Sequence, residues 1–379
     1  MAKNTKNSQF EDVSSFNSNA DYRRANKAKR KKHKGLKALI CVFCVLLILV
    51  GSGMLFISNY LLADLTTTTI TKDKDALGIV SGVETNPNIT NIALFGVDSR
   101  DDNFSGLSDV IIICTVDEIH HKVKLTSILR DSRVYIGEKS QTASGYDKIN
   151  AAYSLGGAEL AINTINQSFK MDITDYVTVN FGKTAAIVDA FGGVDLEITE
   201  AEREQININL TNLLGEEGEA SGITDIDYIS ESGMVHMTGN TAVAYSRIRM
   251  IDSDTMRANR QQNVLEALVG KLTSFGIGDY PQLIKRMCAL AETSLDFTTI
   301  FGFADFAISD FTLERLVVPG ELENPAGDTY YDDYPETGSW EWRYDLDLAA
   351  DHIHEFIYED LYDSETGLVE GAETANTAE

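Results

Sequence analysis

Hydrophobic positions along this chain fall into three regimes. The first is one long apolar run. Ala38 to Ala63 contains no charged residue, and Leu39 to Leu49 is dense in Leu, Ile, Val and Phe. About 20 consecutive apolar residues cross a bilayer, so residues 38–62 are predicted to form one transmembrane helix. The flank Lys27, Lys29, Arg30, Lys31, Lys32, Lys34 and Lys37 is basic, which keeps the N-terminus cytoplasmic and sends the rest of the chain outside. The run is long and lacks a clear A-x-A site, against a cleaved signal peptide. Residues 1–37 read as a basic cytoplasmic tail, and the Thr- and Asp-rich stretch 63–88 as a linker.

The second regime is a series of short apolar runs. Ile92–Val97 reads as a buried strand ending at Asp98, Val110–Val116 as a second, and Lys122–Leu129 as a third, joined by the polar loop Ser99–Ser108 and the turn Asp117–His121. As an antiparallel meander, strand one ends, strand two begins and strand three ends at one edge of the sheet. Asp98, Asp109 and Arg130 therefore converge there.

The third regime has helical spacing. Helices are expected over 149–169, 183–191 (stopped by Gly192-Gly193), 239–249, 257–273 with Asp254 as N-cap, 279–292 and 345–358, with strands at 176–181 and 194–198. The stretch 199–235 reads as a polar, irregular excursion, and 295–318 as mixed. Strands interleaved with helices give an α/β fold or a mixed-sheet sandwich.

Charge sharpens this picture. The chain has 379 residues and a net charge of -26, but residues 1–37 carry 11 Lys/Arg against 3 Asp/Glu, leaving 21 against 55 in the remainder. No broad basic face exists for nucleic acid. The cysteines and histidines show no zinc spacing. Against this acidity, seven of the eleven arginines beyond the apolar run fall in three blocks: Arg100; Arg130 and Arg133; and Arg247, Arg249, Arg257 and Arg260. The planar guanidinium fork bonds two oxygens at once, which points to a phosphate.

Arg257, Arg260 and Gln261 sit at i, i+3 and i+4 on the face that continues into Val264, Leu265 and Leu268. They are thus expected to point inward, at a helix N-terminus that favours anions. Internal ion pairs with the many acids are the alternative. Asp98 and Asp109, at one sheet edge beside these arginines, are candidates to hold Mg²⁺, which takes one or two protein carboxylates and completes its shell with water and phosphate oxygens. Mg²⁺ and arginines are a sufficient kit for phosphoryl transfer. The glycine pairs form neither a P-loop nor a dinucleotide fingerprint, and Ser99 and Ser127 have no histidine partner nearby in sequence.

The blocks NIALFGVDSR, GLSDVIIICTVD, SILRDSRV, KINAAYSLGG, DYVTVNFGKTAAIVDAFGGVDLEI and HMTGNTAVAYSRIRMIDSDTMRANRQQNVLEAL resemble, in order, the LytR–CpsA–Psr family of bacterial cell-wall assembly proteins. The resemblance covers roughly 90–272. It implies an α-β-α sandwich around a mixed β-sheet over 89–360, outside the cell membrane, with 361–379 an acidic tail. It implies a phosphotransferase that moves a glycopolymer, such as teichoic acid or capsule, from a polyprenyl-pyrophosphate carrier to a peptidoglycan acceptor. By motif match, Asp98 and Asp109 would hold Mg²⁺; Arg130, Arg247, Arg249, Arg257 and Gln261 would contact the pyrophosphate, with Arg100, Arg133 and Arg260 supporting. Asp98, or the Asp252/Asp254 pair, would take the acceptor's proton. Two positions depart from the family pattern: Leu107 stands where an arginine is usual, and Leu129 where a proline is. A pyrophosphatase and a non-catalytic lipid-pyrophosphate binder are the competing readings of the same site.

Overall fold

The three-strand meander expected from the apolar runs forms the middle of a seven-stranded mixed sheet. The computed structural model describes residues 66–99, 104, 106–140, 142, 144–221, 226–272, 275, 279–303, 306, 309–320, 323 and 341–360. The predicted cytoplasmic tail (1–37), transmembrane helix (38–62) and acidic tail (361–379) lie outside these residues. Among the described residues no helix is long and apolar enough to cross a membrane.

Strands β1 (Thr66–Thr67), β2 (Ile89–Val97), β3 (Ser108–Asp117), β4 (Lys122–Ile128), β7 (Asp175–Asn180), β10 (Glu292–Thr293) and β11 (Thr312–Val318) make up this sheet, in the order β1-β10-β7-β2-β3-β4-β11. Strand β2 pairs antiparallel with β3 and parallel with β7, and β4 pairs parallel with β11. Two small hairpin-like pairs lie apart, β5 (Arg133–Tyr135) with β6 (Tyr146–Lys148), and β8 (Val194–Ile198) with β9 (Gly233–Met237).

Helices cover both faces. Ala93, Phe95, Val97, Ile111 and Ile113 pack with α1 (Ile149–Phe169) and α8 (Leu346–His354) in one core. Their neighbours in the strands, Leu94, Ile112 and Cys114, face a second cluster that includes Leu265 of α5 (Asp254–Leu272). A strand buried on both faces needs apolar residues at every position, which is why Ile92–Val97 shows no alternation. A third cluster joins α2 (Phe181–Ala190), α3 (Glu200–Ser221), α4 (Gly239–Ser246) and α5. Helices α6 (Tyr280–Cys288) and α7 (Phe297–Gly302) complete the described set.

Three expectations need correction. The stretch read as a linker packs against the domain from Thr66 on: β1 pairs with β10, and Leu77 is fully buried with its carbonyl accepting from Asn166 Nδ2 at 2.8 Å. The stretch read as irregular contains α3 and β9. A capping box starts α3: Thr199 Oγ1 accepts from the Glu202 amide at 3.3 Å, and Glu202 Oε2 accepts from the Thr199 amide at 2.9 Å. Ile206, Leu210 and Leu213 then supply its apolar stripe. Helix α5 begins at Asp254, and the cap is Ser253, whose Oγ accepts from the Met256 amide at 3.3 Å.

Candidate active site

The edge where β2 ends, β3 begins and β4 ends opens into a cleft of about 1020 Å³. Its first wall comes from the meander. Antiparallel register runs regularly to Gly96 opposite Val110, and then Val97 pairs with Ser108. Asp109 is thus the extra residue of a β-bulge, a device that re-aims a side chain at a sheet edge. Its neighbour Gly106 has φ +141°, and a Cβ there would meet the Asp98 carbonyl at 2.8 Å. That turn lets the Asp98 amide donate to the Leu107 carbonyl at 3.1 Å, which fixes Asp98, Leu107 and Asp109 around one mouth.

Arg130 follows β4 and donates through Nη1 to Asp109 Oδ1 at 2.6 Å and through Nε to Asp131 Oδ2 at 3.2 Å. Burial opposes its charge, but the carboxylates of Asp131 and Asp109 outweigh that and hold its pKa above the ordinary value. The second wall is the loop after α4. Ile248 is fully buried and anchors that loop, while the flanking Arg247 and Arg249 are exposed and line the cleft. From α5 come Arg257, only 6% exposed, and Gln261. Arg257 donates to Asp254 at 3.0 Å. Burial lowers its pKa, and the like charges of Arg130 and Arg249 add to that against the pull of Asp254. Arg257 thus sits beside two guanidinium groups that oppose its charge, a crowding that a bound anion would relieve.

Not every arginine of the three blocks reaches this cleft. Arg260 is 2% exposed and is held by Glu202 and Asp252, the internal pairing that was the alternative for this cluster. Arg133 donates to Glu341 at 2.9 Å and stacks its guanidinium 4.2 Å from the Tyr146 ring. Arg100 lies outside the described residues. Sequence reasoning missed Lys183, which lines the cleft with its ammonium 4.1 Å from the Phe104 ring. It also missed Asn180, whose Oδ1 caps α2 by accepting from the Lys183 amide at 2.8 Å, and the asparagines of α3 and α4. The helical spacing Ile206, Leu210, Leu213 behind Thr199-x-x-Glu202 was the signal that could have located α3.

Asp98 and Asp109 are the two carboxylates in the cleft lining. Two acidic oxygen donors, with open space beside them, fit a small hard cation that draws its other ligands from water and phosphate. Among the described residues, the group of three or more metal-ligating side chains is elsewhere: Asp117, His120 and Asp360. It lies at the far end of β3, where Lys124 already pairs with Asp117 at 3.2 Å and with Asp360 at 3.0 Å.

A family model described as the LytR_cpsA_psr family matches residues 56–338. Over 188 residues the chain is 34% identical to a polyisoprenyl-teichoic acid–peptidoglycan teichoic acid transferase, TagU, of Halalkalibacterium halodurans, a match covering 49% of this chain and 54% of that relative. It is 28% identical over 264 residues to TagU of Bacillus mycoides, covering 69% and 78%. Among solved structures, TagT of B. subtilis, described as a LytR-CPS2A-psr family protein with bound octaprenyl pyrophosphate lipid, aligns with a TM-score of 0.52 at 19% identity over 76% of this chain and 99% of that one. That last likeness is one of fold.

Proposed function

This chain belongs to the LytR–CpsA–Psr family, and from that premise we propose that it is a transferase that moves a glycopolymer from a polyprenyl-pyrophosphate carrier onto peptidoglycan. Its catalytic domain works outside the cell membrane, held by one transmembrane helix over residues 38–62, with the N-terminus in the cytoplasm. The observation that carries this reading is the convergence of Arg130, Arg247, Arg249 and Arg257, from two distant stretches of chain, on one cleft beside Asp98 and Asp109.

In the proposed reaction an acceptor hydroxyl oxygen attacks the phosphorus nearest the glycopolymer. The bond from that phosphorus to the bridging oxygen breaks, polyprenyl phosphate leaves, and a phosphodiester remains on peptidoglycan. Arg130, Arg247, Arg249 and Arg257 bind and orient the pyrophosphate and neutralise its charge. Gln261 adds an uncharged hydrogen bond. Mg²⁺ held by Asp98 and Asp109 would supply further neutralisation of phosphate oxygens. Asp252 and Asp254 are engaged by Arg260 and Arg257, which leaves Asp98, exposed in the cleft, to take the hydroxyl proton.

The test supplies purified protein with a polyprenyl-pyrophosphoryl oligosaccharide, peptidoglycan fragments and Mg²⁺. Coupled product that disappears with chelator is the expected result. Folded protein that makes none counts against transfer. A second reading, a binder without turnover, is favoured by Leu107, which is 45% exposed at the cleft where the family pattern has an arginine. It predicts tight polyprenyl-pyrophosphate binding with neither coupling nor phosphate release.

A further inference from the structure

The cleft is larger than a pyrophosphate needs, and its far wall has a different chemistry. From α3 it receives Asn209, Asn212 and Leu213, spaced i, i+3, i+4. From α4 it receives Asn240, Val243, Ala244 and, just past the helix end, Arg247, in the same repeat. The two helices are stapled there: Asn209 Nδ2 donates to the Ala244 carbonyl at 2.9 Å, and its Oδ1 accepts from Gln205 Nε2 at 3.1 Å. Asn212 and Asn240 are different. Both are exposed to the cleft, and neither amide is hydrogen-bonded among the described residues.

Apart from Arg247 at its edge, this wall is uncharged in a chain of net charge -26. Helix α3 carries acids up to Glu204 and again from Glu216, but none between, in the stretch QININLTNLLG. Each asparagine amide offers two donors and an acceptor with no net charge. Beside them, the half-buried Leu213 offers apolar surface. Hydroxyl or acetamido groups on the rim of a pyranose, with C–H groups on its face, are the complement of that combination. The spacing suits it as well. At 1.5 Å per residue, Asn240 stands about 10 Å along α4 from Arg247, so a group held by the amides lies one sugar away from a phosphate held by the arginines.

We propose that the α3–α4 wall is a sugar subsite in which the amides of Asn212 and Asn240 bind the polar groups of a pyranose next to the reacting phosphate. The proposal rests on the transferase reading for what that sugar is. It belongs either to the donor glycopolymer or to the peptidoglycan acceptor.

The experiment uses the full chain and the double variant Asn212→Ala/Asn240→Ala. Three quantities are measured: binding of octaprenyl pyrophosphate, which has no sugar; equilibrium binding of a soluble peptidoglycan disaccharide fragment and of a polyprenyl-pyrophosphoryl disaccharide; and KM for each in transfer. The expected result is unchanged octaprenyl pyrophosphate binding, which also reports an intact fold, and about tenfold weaker binding of one sugar ligand, equivalent to about 1.4 kcal/mol. Weakening confined to the donor disaccharide places the donor sugar there, and weakening confined to the fragment places the acceptor. Equal affinities of wild type and variant for both sugar ligands overturn the subsite. Wild-type protein that binds the sugars but transfers nothing overturns the transferase reading and leaves the subsite standing.

Discussion

Arg257 and Arg260 are three residues apart on one helix and have opposite roles. Arg260 is satisfied by Glu202 and Asp252, whereas Arg257 sits buried among like charges. Removing Arg260 leaves two carboxylates without their partner, so Arg260→Ala is expected to lower the unfolding free energy by about 1–3 kcal/mol. Arg257→Ala strips only Asp254 of its partner and also relieves repulsion, so it should cost the free protein less, about 1 kcal/mol or under. It also deletes a charge-assisted bond worth about 1.5–3 kcal/mol to a phosphate, so octaprenyl pyrophosphate should bind roughly 10- to 150-fold more weakly. Denaturant titration beside ligand titration separates the two variants; equal stability losses in both would contradict the division of roles. Leu107 is the converse case. Leu107→Arg adds a guanidinium at the cleft mouth and should tighten the same ligand by about tenfold or more, read by calorimetry.

Among the elements, α8 carries the clearest pH signal. His352 Nδ1 lies 2.6 Å from Glu323 Oε1, and both side chains are nearly buried. That hydrogen bond raises the His352 pKa, with burial opposing it and the Glu323 charge helping. A raised folded pKa favours the charged imidazole in the folded state, so its stabilising contribution is complete below the unfolded value near pH 6.5 and is lost as pH rises through the folded value. The Tm gap between wild type and His352→Gln should therefore shrink from about pH 5 to about pH 9; a gap that widened would reverse the assignment. Element identity was legible where a pattern is dense, as in the continuous runs of β2 and β3. It was less legible in α3, where four amides dilute a three-residue apolar stripe.

Across the whole molecule, a cleft crowded with like-charged arginines couples ligand binding to stability. An anion that binds only the folded state adds RT ln(1 + [L]/Kd), about 2.7 kcal/mol at 100 times Kd. For a domain of this size that is a rise in Tm of about 5–10 °C. Octaprenyl pyrophosphate should produce this shift, and octaprenol, which lacks the phosphates, should not. The strongly acidic remainder of the surface gives the comparison a built-in contrast, since the cleft is where cationic side chains outnumber carboxylates among the lining residues.

Local pattern was enough to place the meander and to bring Asp98, Asp109 and Arg130 to one edge. These follow from strand direction and residue spacing, which are properties of short stretches. Tertiary structure alone decided which arginines open onto the cleft. Arg133 turns to Glu341, and Arg260 to Glu202, across 208 and 58 positions of sequence. It alone made Asp109 a bulge residue, packed the stretch after Thr66 onto the sheet, and brought the amides of α3 into the same cleft as the guanidinium groups. A guanidinium reaches its partner through space, and the partner's place depends on how distant elements pack, which periodicity along the chain does not encode.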